Sequence, residues 1–415
     1  MPHSKFALFG GRTILALAAL IGIIGIFGVV NSARFHSRVA KLKADGELVD
    51  VNDLLVHVEN KEDDAMTYLN TLIKPSKEIS AIIPRREDGF IETDEESIAL
   101  FDSTMANYPD FFDQLSLAAA APVMSYEVDA GEAWGANILE RHRIMNVAAW
   151  QGQVLNAKGD PNGAAAVALE LLQLAEKSKP PTLITYLLDA AHRVAACQIL
   201  YDAGCRGSID EEILDEIFSL MDKRDSLGEY CSALKAERSI SVYYLINRPE
   251  IESNPFQSRL EWVTNLIPSG PAMVAGNPYL DQMELAIKRA ETPLTTQFED
   301  EPPAWSILTE FGGDSGSQLN NFRNAIGQKS ALNQATRIAL TLQHDEVAAA
   351  RTTWPVDYLV SRGIPEEMTL DPFTGEPLVI TRKDGDWQVY SIGVDKIDNE
   401  LDRESDDRGT IRQIK

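Results

Sequence analysis

Residues 180–207 read PPTLITYLLDAAHRVAACQILYDAGCRG. Leu183, Leu187, Ala190, Val194, Cys197 and Tyr201 recur at alternating steps of four and three, so they share one narrow face of a helix. Pro180 and Pro181 stop the preceding helix, because proline lacks the amide proton and its ring clashes with the turn before it. Thr182 follows as the N-cap, its hydroxyl placed to accept an orphan amide, and Gly204 and Gly207 close the helix. His192 falls in mid-helix, opposite the stripe.

The same period extends outward from Asp50 to about Arg289. Upstream it predicts helices over Ala136–Lys158 and Asn162–Lys177, broken by Gly159-Asp160-Pro161. Downstream it predicts Asp210–Lys223 and Ser226–Asn247, the latter ended by Pro249. Helices joined by short turns bury their apolar stripes on their neighbours, which predicts an antiparallel array. The unit WQGQVLNAKGDPNGAAAVALELLQLAEKSKPP, residues 150–181, resembles one degenerate tetratricopeptide helical pair, with a Gly-Asp turn, small residues at the crossing and a closing proline. No recurrence at ~34 residues is present, so the body is predicted to be repeat-like rather than a regular array.

Before this body stands the uncharged run TILALAALIGIIGIFGVVNSA, Thr13–Ala33, bracketed by Arg12 and Arg34. As a helix it would span about 31 Å, the thickness of a bilayer's hydrocarbon core. Only a helix satisfies its own backbone there, so a transmembrane helix is expected. The rival is a signal peptide, but the apolar region Ile14–Val30 exceeds the usual range of about 7–15 residues. Arg34, Arg38, Lys41 and Lys43 outnumber Lys5 and Arg12, which by the positive-inside rule favours a cytoplasmic body. The expected layout is thus a tail at 1–12, the span at 13–33, a juxtamembrane linker at 34–49 and a helical body at 50–295. A loop at 296–317 follows, with Pro302-Pro303 and Gly312–Ser317, and then 318–415 as a long helix with a small β cap and an acidic tail. Leu319, Phe322, Ile326, Leu332, Ala335, Ala339 and Leu342 mark the buried side of that helix.

With 63 acidic against 38 basic residues the formal net charge is −25, which repels phosphate backbones and argues against nucleic acid as a partner. Divalent cations and basic proteins suit such a surface. No Gly-x-x-x-x-Gly-Lys-Ser/Thr and no Gly-x-Gly-x-x-Gly is present, so nucleotide chemistry lacks its phosphate cradle. Three cysteines, Cys197, Cys205 and Cys231, form no C-x-x-C; Cys197 is expected in the core, and in an exported chain Cys205 could pair with either of the others. The six histidines form no H-x-x-x-H or H-E-x-x-H. Glu140-Arg141-His142-Arg143 reads as a mixed polar face, and Trp134, Trp150, Tyr243 and Tyr244 as core or groove aromatics. Gly313-Asp314-Ser315-Gly316 and Ala190-Ala191-His192 echo fragments of trypsin-like proteases. A triad needs its base in hydrogen-bond reach of the nucleophile, and here one element is helical, so Ser315 or Ser317 is read as an N-cap. No catalytic and no cofactor-binding residues are assigned.

The C-terminal pattern is the most specific one. Trp354-Pro355 opens WPVDYLVSRGIPEEMTL, followed by DPFTGEPLVITRKDGDWQVYSIGVD. Val379 and Thr381, then Trp387, Val389 and Ser391, predict two short strands joined by Lys383-Asp384-Gly385-Asp386. This end resembles the globular part of type II secretion major pseudopilins. There a long helix leads to an aromatic-Pro loop, an Asp-Pro-aromatic-Gly turn and a small sheet ending in Tyr-Ser-x-Gly-x-Asp before an acidic loop. Here those positions are Trp354-Pro355, Asp371-Pro372-Phe373, Gly375-Glu376-Pro377 and Tyr390-Ser391-Ile392-Gly393-Val394-Asp395. Through GDPNGAAAVALELLQLAEKSKPPTLITYLL (159–188), ALKAERSISVYYL (233–245) and this ending, most of the chain also resembles a group of membrane-anchored helical proteins of planctomycete-type bacteria.

The resemblance implies an extracytoplasmic body and a calcium ion in the acidic loop, held by Asp395, Asp398, Asp402, Asp406 and Asp407, with Ser391 nearby. Hard cations take six to eight such oxygens. The chain departs from the pseudopilin pattern in three places. Lys396 stands where the family has a glycine, Asn399–Ser405 replaces its glycine-rich loop, and Gly11-Arg12-Thr13-Ile14-Leu15 lacks the processing site, so assembly into a pseudopilus is not expected. An EF-hand is excluded by Arg403 at the tight-turn position. The expected fold is mainly α: a transmembrane helix, a tetratricopeptide-like body and a small α+β cap. The expected function is a membrane-anchored, non-enzymatic interaction protein of the cell envelope with protein partners. The alternatives are a calcium-stabilised envelope-assembly component and an enzyme whose site crosses helices.

Overall fold

The computed structural model describes residues 30–50, 54, 58–86, 89–125, 133–177, 182–223, 226–247, 270–296, 315–345, 347–348, 351, 353–383, 385–399 and 408–409. The chain is mainly helical with one small sheet. Its helices are α1 (30–44), α2 (Ala65–Ile82), α3 (Glu95–Met105), α4 (Phe111–Ala120), α5 (Ala133–Ala157) and α6 (Pro161–Glu176). They continue with α7 (Leu183–Arg206), α8 (Glu211–Asp222), α9 (Ser226–Asn247), α10 (Gly270–Ala290), α11 (Ser315–Gln343) and α12 (Val356–Ser361). Most of the predicted span, residues 13–29, lies outside the described residues, and no described helix is long and apolar enough to cross a membrane. Two compact units form. One comprises 1–54, 234–289 and 301–316, the other 55–233, 290–300 and 317–415.

Side-chain caps start α6 and α7 of the larger unit where the sequence places them. Asp160 accepts from Gly163 N at 2.9 Å with Pro161 at the first helical position, and Thr182 accepts from Thr185 N at 3.2 Å. Asp64 and Asp94 cap α2 and α3 in the same way. Gly159, at φ +77°, makes the left-handed turn between α5 and α6 that a side chain would resist. Helices α5, α6 and α7 pack on one another in succession, and their core includes Trp150, Val154, Leu171, Leu172, Ile199 and Leu200.

The single-face reading of α7 is corrected. Ala190, Cys197 and Tyr201 are buried, but Leu183, Leu187 and Val194 only partly so. Thr185, Tyr186, Asp189, His192 and Arg193, on other faces, are buried as well. α7 contacts both α5 and α6, so it is covered around most of its circumference rather than along one stripe.

Ile326, Ala335, Ala339 and Leu342 of α11 are buried as its periodicity requires, with Phe322 and Leu332 partly covered. The cap follows: β1 (Val379–Lys383), β2 (Asp386–Ser391) and the two-residue β3 (Arg408–Gly409), all antiparallel in the order β1-β2-β3. Lys383 pairs with Asp386 across the predicted turn, where Gly385 takes φ +97°. Tyr201 Oη donates to the Trp387 carbonyl at 2.7 Å, and Trp354 stacks edge-on against Trp387 at 4.9 Å. The first contact joins the sheet to α7, the second to the segment before α12. No disulfide joins the cysteines: Gln343 Nε2 donates to Cys205 Sγ, and Cys231 Sγ lies 3.7 Å from Glu291 Oε1.

In the smaller unit the expected linker is helical as far as residue 44. Phe35 of α1 is fully buried with Val242 and Leu280, lying over Gly276, where an added Cβ would come within 2.7 Å of its ring. Arg38 pairs with Asp281 at 2.7 Å and Glu284 at 2.9 Å, and buried Arg238 donates to Glu47 at 2.9 Å.

Candidate functional site

Two helical spacings assemble a buried polar cluster in the larger unit. His142 and Asn146 stand four apart on α5, and Asp189 and His192 three apart on α7, so each pair shares a helix face. Where α5 and α7 meet, His142 Nδ1 lies 3.0 Å from His192 Nε2, the rings 5.2 Å apart and tilted by 31°. Asn146 Nδ2 lies 3.2 Å from His142 Nε2. Beside them Arg141 Nη2 donates to Asp189 Oδ1 at 2.7 Å, and Arg141 Nη1 reaches Met124 Sδ at 3.2 Å. His192 Nδ1 faces Asp189 Oδ1 at 3.9 Å, an electrostatic contact longer than a hydrogen bond. Arg193 turns the other way, to Glu176 at 2.6 Å.

With the Asn146 amide nitrogen toward His142 Nε2, one proton arrangement follows. The Asn146 amide donates to His142 Nε2, which leaves Nδ1 as the N–H of His142, donating to His192 Nε2. His192 then carries its proton on Nδ1, toward Asp189. Both rings are neutral in this scheme. Burial first, then His192, Arg141, Arg85 and Arg143, push the His142 pKa down to about 4. Burial also lowers that of His192, reinforced by Arg141 and Lys329 and opposed by Asp189. Glu140, next in sequence, is drawn to Lys77 at 2.8 Å and to Arg143; these cations outweigh its burial and hold its carboxyl low.

At neutral pH a general base works best with a pKa near the ambient pH, and His142 lies well below it. Both nitrogens of His142 are engaged by protein atoms, so the pair ties two helices together rather than presenting a lone pair to solvent. Among the described residues no group of three or more His, Cys, Asp or Glu side chains is placed to hold a metal ion.

The cluster corrects the reading of residues 140–143 as a polar face. Arg141 is 5% exposed and its partner Asp189 6%. The signal for it was a set of ionisable residues on helices otherwise rich in alanine and leucine. Of the five predicted calcium ligands, Asp395 and Asp398 follow β2, while Asp402, Asp406 and Asp407 lie outside the described residues. Asp395 Oδ1 accepts from Ile397 N at 2.8 Å, and Asp398 Oδ1 accepts from Tyr390 Oη at 3.1 Å. Ser391 is buried, its Oγ accepting from Gly393 N. Ser315 opens α11, while Gly313 and Asp314 lie outside the described residues, as does the side chain of Trp134. Trp150 is a core residue whose Nε1 donates to the Gly89 carbonyl at 3.1 Å. No family model, curated protein or solved structure matches this chain.

Proposed function

We propose that this chain is a single-pass, membrane-anchored, non-enzymatic scaffold of the cell envelope, with its body outside the cytoplasm and a protein as its partner. The observation that carries the reading is the successive packing of α5, α6 and α7, each on its neighbours. That is the arrangement by which tetratricopeptide-like pairs build extended binding faces. Thr13–Ala33 supplies the anchor in this reading, and α1 continues from it into a folded unit through buried Phe35. Alkaline extraction and protease protection of the full chain in cell membranes test it. The full chain stays with the membrane and is digested from outside, whereas Ile23→Lys with Ile26→Lys releases it. Recovery of the unaltered chain in the soluble fraction would refute the anchor, and protection of the body from outside protease would refute its sidedness. A photo-cross-linker at exposed Ile184 should give one discrete protein adduct; its absence would remove the scaffold reading.

A second reading, a calcium-stabilised assembly component related to pseudopilins, is favoured by the turn after β2. Lys396 there takes φ +60°, the left-handed conformation suited to the glycine of that family. Calcium should raise the thermal midpoint of the full chain, and Asp395→Ala with Asp398→Ala should abolish the rise. Coincident curves with calcium and with chelator would exclude a metal role for Asp395, Asp398, Asp402, Asp406 and Asp407.

A further inference from the structure

We propose that His142 and His192 form an acid-sensitive latch that holds the N-terminal halves of α5 and α7 together while the pair is neutral and releases them when both rings are protonated. The inference is independent of the scaffold reading and rests on how many protons the contact admits.

At 3.0 Å the gap between His142 Nδ1 and His192 Nε2 holds one hydrogen. A first added proton can enter at His142 Nε2, the end nearer solvent, since His142 is partly exposed and His192 is 2% exposed. Asn146 accommodates it by turning its amide so that the oxygen accepts. The inter-ring hydrogen bond survives that step. A second proton, on His192 Nε2, sets two N–H donors face to face with no acceptor between them, and the bond that joined the helices becomes a repulsion.

The surroundings decide how the cluster answers. On α5, Arg141 and Arg143 are cationic, with Glu140 engaged by Arg143 and Lys77. On α7, Asp189 is held by Arg141, and Arg193 by Glu176 of α6. Arg85, just beyond α2, and Lys329 of α11 add positive charge. Asp189 is thus the one carboxylate close to the rings among the described residues, and it is already shared. Charge on the rings has little to neutralise it.

Release is local because the other half of the seam is fastened differently. Gly152 of α5 lies against Ile199 of α7, where an added Cβ would come within 2.9 Å of Ile199 Cδ1, and Asn156 Nδ2 donates to the Ile199 carbonyl at 2.9 Å. Val154, Ala196 and Leu200 around that crossing are fully buried and carry no titratable group. Acid therefore acts on the histidine end and leaves the crossing closed.

Hydrogen–deuterium exchange of the full chain at pH 7 and pH 4, corrected for intrinsic exchange, reads this directly. Expected is a loss of protection in 133–147 and 183–193 at pH 4, with 150–157 and 196–206 still protected. His142→Gln keeps an amide donor toward His192 and removes the first proton site, so it should retain protection at pH 4. Unchanged protection of the wild type in acid would overturn the proposal. So would an equal loss in H142Q, which would place the effect outside the His142 ring. If H142Q does not fold at pH 7, a 15N-histidine titration of the wild type decides. Coupled titration of the His142 and His192 rings supports the latch, and independent titration of these two rings in the ordinary histidine range overturns it.

Discussion

Arg141 and Asp189 form an ion pair 2.7 Å long whose side chains are 5% and 9% exposed, joining α5 to α7 beside the imidazole pair. A charge so far from water is tolerated because each partner supplies what the other lost in desolvation. Removing one partner strands the other, so Asp189→Leu or Arg141→Met should each destabilise by about 3–5 kcal/mol in urea unfolding. The double change Arg141→Met with Asp189→Leu should cost much less than the sum, because no unpaired charge remains. Additive losses in the double-mutant cycle would show that the two charges act separately.

The histidine pair sets a direction for acid stability. The folded-state pKa of His142 lies near 4 and its unfolded value near 6.5, so between these limits the unfolded chain binds more protons. Stability is full above about pH 6.5, declines as pH falls towards about 4, and gains no further loss from this residue below that. Glu140 and Glu47, whose carboxyls are held low by basic partners that outweigh their burial, act in the same sense from about pH 4.5 downward. Urea midpoints at pH 7, 5.5 and 4.5 should therefore fall for the wild type, and His142→Gln should flatten the drop above pH 4.5. An equally steep drop in the variant would place the titrating group elsewhere.

The long helix α11 and the cap meet at a glycine. A Cβ on Gly327 would come within 2.5 Å of Phe373 Cζ and 3.0 Å of Leu294 Cδ1, too close for either to keep its place. Phe373 is itself fixed, its amide donating at 2.8 Å to Asp371, whose other oxygen accepts from Ile392 N at 3.0 Å. Gly327→Ala should lower stability by about 1–3 kcal/mol through overpacking, and adding Phe373→Leu should restore part of it. Thermal unfolding of the single and double variants checks this. A harmless Gly327→Ala would mean that the cap shifts freely on α11.

Much of the helical order was legible because it rests on local rules. Asp160-Pro161 and Thr182 cap α6 and α7 as short-range chemistry requires, and the alternating Trp387, Val389 and Ser391 place β2. The histidine cluster was not legible in the same way. His142 and His192 are 50 residues apart, and neither heptad-like spacing nor a metal motif relates them. Their contact follows from α5 and α7 lying side by side, a tertiary fact. The same cause explains α7 itself: periodicity shows which face is most apolar, but not that neighbours will also cover Asp189, His192 and Arg193. In residues 34–44 the charges dominate the pattern and mask Phe35, which is fully buried in the folded unit.

The turn after β2 carries a strain that substitution can remove. Lys396 is the one non-glycine among the described residues with positive φ, at +60°, directly after Asp395, whose side chain closes the turn onto Ile397 N. For an L-residue with a side chain this region costs roughly 1–2 kcal/mol, because Cβ crowds the following carbonyl oxygen. Glycine avoids that crowding but has more freedom to lose on folding, which offsets part of the gain. Lys396→Gly should therefore stabilise the chain by about 0.5–1 kcal/mol, and Lys396→Val should destabilise it, since a β-branched side chain tolerates positive φ least. Thermal midpoints of the two variants read the difference. A Lys396→Gly variant no more stable than the wild type would mean that the Asp395 turn already compensates the strain.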